Sequence, residues 1–200
     1  VMNKGRLEAF SDGVLAIVIT IMVLELKVPD DAGFAGLIPS LPLLLGYALS
    51  FVYVAIYWNN HHHLLTLASR VTPGVMWANM HLLFWLTLTP FVTEWMGKQS
   101  FQPEPIMAYG AVFALCALAY HILQWQIGIT TAHPEKFKQA FGRDFKGVAS
   151  PVLYLIAMGL AYVSPFLSYG LFLLVALLWI IPDKRLVAVF EASNDSKHEP

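Results

Sequence analysis

A chain of 200 residues that is 58% hydrophobic and only 12% charged, with a mean hydropathy of +0.62, is not an ordinary water-soluble domain. Soluble chains carry about twice that share of charge. The formal net charge of −1 gives no electrostatic basis for binding nucleic acid, and a single cysteine, Cys116, excludes an intrachain disulfide and reads as a small core residue.

The apolar runs predict an all-α polytopic membrane protein with spans at about residues 10–28, 41–66, 74–96, 105–131, 148–164 and 167–182, followed by a cytoplasmic tail over 183–200. The polar segment Glu8–Gly13 interrupts the first run, which argues against a cleavable leader. Pro29-Asp30-Asp31, Arg70-Val-Thr-Pro-Gly74 and Gln102-Pro-Glu-Pro105 separate the first four spans, and His133–Gly147 is a charged linker. Within that linker Phe137, Phe141 and Phe145 predict an amphipathic helix over Glu135–Lys146 on the inner leaflet. The last run divides at Ser164-Pro165 into two short spans, against the alternative of one long tilted helix. Loop charge favours the division. With six spans and a cytoplasmic N-terminus, Lys4, Arg6, Arg70, Lys136, Lys138, Arg143, Lys146, Lys184, Arg185 and Lys197 lie inside, while Lys27 and Lys98 lie outside among acids.

That topology gathers the polar residues of the spans into one layer. Ser11 and Asp12, Asn59 to His63, Asn79 and His81, and His121 to Gln126 fall within roughly 9–15 Å of the cytoplasmic surface at 1.5 Å rise per residue. An ionised acid facing lipid is costly, so Asp12 is expected to have partners on neighbouring helices, with Trp58, His61 and Asn79 at its depth. The competing reading makes Ser11 and Asp12 a helix cap, with Arg6 anchored to headgroups. Three consecutive histidines at 61–63 point about 100° apart on a helix and do not converge on one metal ion. No metal or cofactor is expected.

Arg6-x-x-x-Phe10-Ser11-Asp12 followed by the aliphatic run Leu15–Leu24, with Trp58-Asn-Asn-His61, Asn79 and Pro90 further on, resembles the signature of the transmembrane protein 175 family of potassium channels, found in lysosomes and bacteria. The resemblance implies a six-span protomer of the bacterial plasma membrane, both termini cytoplasmic, assembling as a homotetramer whose first helices line a central pore. It implies that Arg6, Phe10, Ser11, Asp12, Trp58, His61 and Asn79 form a network positioning that helix. Carried over residue by residue, the narrow pore positions fall on Ile17, Thr20, Ile21 and Leu24, offsets that share one helix face. Ile17, Ile21 and Leu24 would make a hydrophobic gate, and Thr20 alone could touch a partly hydrated cation.

The resulting expectation is a passive, moderately potassium-selective channel that is not an enzyme, with potassium as its permeant ion. The alternatives are a proton-coupled transporter or proton pathway using Asp12 and the membrane histidines, and an assembly protein without flux. The Phe10-Ser-Asp12 signature does not recur in the later spans, so the internal repeat common in transporters is not seen.

Overall fold

The computed structural model describes residues 3–29, 33–142 and 144–180. The proposed tail over 183–200 lies outside the described residues, as do Asp30, Asp31, Arg143, Lys184, Arg185 and Lys197.

Helix α1 runs Lys4–Leu24, 21 residues, or about 31 Å at 1.5 Å per residue. It begins earlier than hydropathy predicts because Asn3 caps it, its side chain accepting the Gly5 N–H at 2.9 Å. Ser11 and Asp12 therefore sit two turns inside the helix, and the capping reading of these two residues is wrong. A 3₁₀ segment Phe34–Ser40 leads into α2, Leu41–Thr66. The third predicted span is bent into α3, Pro73–Thr87, and α4, Thr89–Lys98, joined at Leu88. Pro90 has no N–H to continue the ladder, which accounts for the break. Helix α5 runs Pro103–Gly128.

The linker helix α6 spans only Pro134–Phe141. Phe137 and Phe141 pack against Leu67 and Ala140 instead of facing the lipid surface, and Phe145 already opens α7, Phe145–Leu160. The predicted amphipathic element over Glu135–Lys146 is thus shorter, and its aromatic face is turned into the protein. Helix α8 runs Pro165–Ile180. Between α7 and α8 the Leu160 carbonyl accepts from Val163 at 2.9 Å and from Ser164 at 2.8 Å, closing a tight turn that excludes one continuous helix. Each of these helices has 16 residues, or about 24 Å, so they are shorter than the four elements long and apolar enough to cross a bilayer, which are Lys4–Leu24, Phe34–Thr66, Pro73–Lys98 and Pro103–Gly128. No strand occurs among the described residues.

Helix α5 is the hub, packing on α2, α3, α4, α7 and α8. At its centre Tyr53, Tyr109, Phe113, Tyr154 and Phe172 form a buried aromatic cluster, with the Tyr53 and Phe113 rings 4.4 Å apart. Lipid tails are as apolar as this core, so hydrophobic transfer holds the helices together only weakly; close packing and polar staples must contribute. The staples are present. Ser50 Oγ lies 2.7 Å from Thr93 Oγ1 and 3.1 Å from the Tyr109 hydroxyl, Tyr53 donates to the Phe172 carbonyl at 2.6 Å, and Ser168 donates to Ala157 at 2.7 Å. Close approach is built in at Gly97, where a Cβ would meet the Leu43 Cα at 2.7 Å, so only glycine lets α4 cross α2 there.

Helix α1 stands apart from this arrangement. It packs against α2, α3 and α4 through Leu7, Ser11, Leu15, Val18 and Met22, a line at spacings of four and three. Its other side is exposed among the described residues.

The candidate pore helix and its polar bracket

The buried side of α1 is held by hydrogen bonds that run in one direction. Asn79 Nδ2–H donates to Ser11 Oγ at 3.0 Å, which turns the amide oxygen toward His61, whose Nε2 lies 2.6 Å from it. Since an amide oxygen only accepts, the His61 proton is on Nε2. Ser11 in turn donates to the Leu7 carbonyl at 2.8 Å. The order His61 to Asn79 to Ser11 to Leu7 satisfies each group with a donor or acceptor of the right kind, and these three side chains are at most 2% exposed. Chains of hydrogen bonds in a low-dielectric interior polarise one another, so a network of this kind fixes rotation as well as position.

A second bond stands beside it: Trp58 Nε1–H donates to Asp12 Oδ1 at 2.9 Å. Trp58 is the residue of α2 one turn before His61, so a single helix supplies both contacts to α1. The structure therefore brings together Ser11, Asp12, Trp58, His61 and Asn79. It does not bring in Arg6 or Phe10. Both are exposed, Phe10 by 54%, and among the described residues Arg6 makes no side-chain hydrogen bond or ion pair. At the N-terminal end of the helix a further contact appears: Lys4 Nζ donates to the Thr66 carbonyl at 3.1 Å, meeting one of the carbonyls left over at the end of α2. Antiparallel adjacency of the two helices, with a lysine at the start of one, was the available signal.

The exposed side of α1 carries the predicted throat. Ile17 is 58% and Leu24 78% exposed, with Ile21 and Thr20 also open. Phe10, Gly13, Ile17, Thr20 and Leu24 follow one another at spacings of three, four, three and four, opposite the buried line. Thr20 donates its hydroxyl hydrogen to the Ile17 carbonyl at 2.9 Å, which leaves the oxygen lone pairs directed away from the helix. Among polar atoms of that seam, Thr20 Oγ1 is the one able to ligate a cation. The seam is otherwise apolar for about 21 Å, from residue 10 to residue 24 at 1.5 Å per residue.

Of the three consecutive histidines only His61 is buried, while His62 is exposed. Among the described residues no three His, Cys, Asp or Glu side chains gather as a metal ion would need.

Residues 6–90 match the family described as endosomal/lysosomal potassium channel TMEM175. A protein named potassium channel from Chryseobacterium sp. (strain P1-3) is 49% identical over 185 residues, 92% of this chain and 96% of that one. Another of that name, from Chamaesiphon minutus, is 32% identical over 189 residues, 88% of this chain and 92% of its own length. The crystal structure of a lysosomal potassium-selective channel TMEM175 homolog from Chamaesiphon minutus superposes with a TM-score of 0.77 at 29% identity, covering 89% of this chain and 96% of that one.

Proposed function

The chain belongs to the TMEM175 family, and from that premise we propose a path for the ion it conducts. The protein is a potassium channel of the membrane and not an enzyme. Four copies ring one axis with α1 innermost, each copy crossing a bacterial plasma membrane six times, with both termini in the cytoplasm. The observation that carries this reading is the two-sided character of α1: one face is buried and hydrogen-bonded, and the opposite face is an unbroken, exposed seam.

The bracket sets the rotation of the helix. With Ser11 tied to Asn79 and Asp12 tied to Trp58, the seam through Ile17 and Leu24 faces outward from its own protomer, and in the ring that side faces the axis. Arg6 and Phe10 keep their expected positioning role only through contacts made on assembly. Four copies of Ile17 form a ring that closes by dewetting, because a potassium ion would lose water there and gain no ligand in exchange. Ile21 and Leu24 extend the apolar throat toward the outer mouth. Helix α1 is continuous, so its carbonyls are taken up by its own ladder and cannot form a filter. Selectivity then rests on Thr20, whose oxygen replaces part of the hydration shell in a constriction of side chains. A moderate preference for potassium is the consequence. The outer mouth is lined by four helix C-termini, whose partial negative charge favours an entering cation.

Reconstituted protein in planar bilayers under opposed potassium and sodium gradients tests this reading. A potassium-directed reversal potential is expected. Movement of ions only when a proton gradient is supplied would refute passive flux and favour the coupled-transport alternative through Asp12.

A further inference from the structure

Resting on the ring reading just given, we propose that the outward seam of α3 and α4 is the surface on which the next protomer seats its α2. Trp77, His81, Phe84, Leu88, Phe91 and Trp95 follow one another at spacings of four, three, four, three and four. That is a heptad seam, the pattern of a helix that packs along another helix. Its large rings stand open: Trp77 is 68%, Phe84 55% and Phe91 61% exposed. The outward residues of α7 and α8 differ in kind, being mainly aliphatic, as with Val152, Leu155, Leu174 and Leu177.

Two observations make the occupant a second copy and not lipid. The first is an unmet hydrogen bond. His81 Nε2 accepts the Trp85 indole N–H at 2.9 Å, so the neutral ring carries its proton on Nδ1. Among the described residues nothing accepts it, although it lies about 12 Å past the start of α3 at 1.5 Å per residue. On α2 the exposed Asn59 amide likewise forms no side-chain hydrogen bond among the described residues. Unpaired polar groups at that depth are costly against hydrocarbon.

The second is register. Rotation about the membrane normal preserves depth, so residues that face each other between copies lie at the level at which they already lie within one copy. The His61–Asn79 bond, the Ser50–Thr93 bond and the Leu43–Gly97 contact fix that level. It sets Asn59 opposite His81. It also puts Phe84 and Phe91 within one turn of Ala55 and Ala48, so large rings on one surface meet small side chains on the other. Helices α2 and α3 both contact α1 and are bonded to each other through His61 and Asn79, so joining the outward side of α2 in one copy to that of α3 and α4 in the next closes a head-to-tail ring around α1.

Disulfide trapping in membranes tests the pairing in a Cys116→Ser background. Phe91→Cys and Ala48→Cys placed in the same chain should give an oxidant-dependent ladder of dimer, trimer and tetramer, and the two single variants mixed should give one crossed dimer. Leu155→Cys with Leu177→Cys should give no intersubunit product. In parallel, Ile17→Cys reports the ring itself by trapping across the axis. Trapping at Ile17 without a Phe91–Ala48 ladder would overturn this interface while leaving the ring standing. Absence of both would overturn the ring and the interface with it. A ladder from the α7–α8 pair would place the contact on the wrong face and overturn the proposal. His81→Phe should weaken assembly in proportion to loss of the Asn59 bond, and Asn59→Leu combined with it should cost no more than either alone.

Discussion

Asn79 is the joint of the bracket, and Asn79→Leu is the sharpest perturbation available because it keeps the branched outline of the side chain while removing the bonded donor and acceptor. An interhelical side-chain hydrogen bond in a bilayer averages about 0.6 kcal/mol and reaches about 1.7 kcal/mol. Asn79 makes two, to His61 and to Ser11, so their loss is worth about 1–3 kcal/mol by the same scale. Ser11 suffers little, since it keeps its own bond to the Leu7 carbonyl. His61 suffers more, left with a buried N–H and no acceptor, a situation that costs about 1–3 kcal/mol. A net loss of about 2 kcal/mol shifts the balance between bracketed and released α1 about thirtyfold. His61→Phe, made alone, leaves the Asn79 oxygen unpaired instead. The double variant removes both orphans, so it should be less damaged than the sum of the singles, with a coupling of about 1 kcal/mol. Denaturant titration in lipid nanodiscs measures the stability terms, and potassium flux in liposomes follows the channel. Single effects that add to the double effect within about 0.3 kcal/mol would refute a direct His61–Asn79 bond as the element holding α1.

Ile17→Asn should wet the throat and raise macroscopic potassium current severalfold in bilayer recordings, and unchanged current would remove Ile17 from the gate. Thr20→Val keeps the shape and removes the oxygen, so the reversal potential should move toward equal permeability for potassium and sodium; an unaltered potential would count against Thr20 as the selective ligand. Gly97→Val drives a Cβ against the Leu43 backbone at 2.7 Å and should lower stability by about 1–3 kcal/mol, whereas Gly159→Ala, with open space around it, should leave the thermal midpoint in place.

Much of the bracket was legible in the sequence because depth follows from counting. Asp12, Trp58, His61 and Asn79 share a level once the first three spans are taken as alternating in direction, and an acid in a membrane requires partners. The start of α1 was not legible from hydropathy, since Lys4, Arg6 and Glu8 read as loop until the Asn3 cap and the Lys4–Thr66 contact are seen. The break at Leu88 was signalled by Pro90, but a proline alone does not distinguish a kink from a tolerated residue in a long helix. Phe137 and Phe141 carried a membrane-surface pattern that packing against Leu67 overrode. Arg6 and Phe10 illustrate the opposite case, for their signature is plain and yet both are exposed and stand outside the hydrogen-bonded bracket among the described residues. The heptad seam of α3 and α4 passes for core when only composition is considered, because aromatic residues fill cores as readily as interfaces; exposure distinguishes the two.

Conduction along the outward seam of α1 is what everything proposed for the pore rests on. Cysteine scanning of α1 in a Cys116→Ser background, with block by a water-soluble thiol reagent read as loss of potassium current, tests it most directly. Block is predicted at positions 13, 17, 20 and 24 and not at 15, 18 and 22. Block that follows the Leu15, Val18 and Met22 side, or that shows no helical period at all, would contradict it.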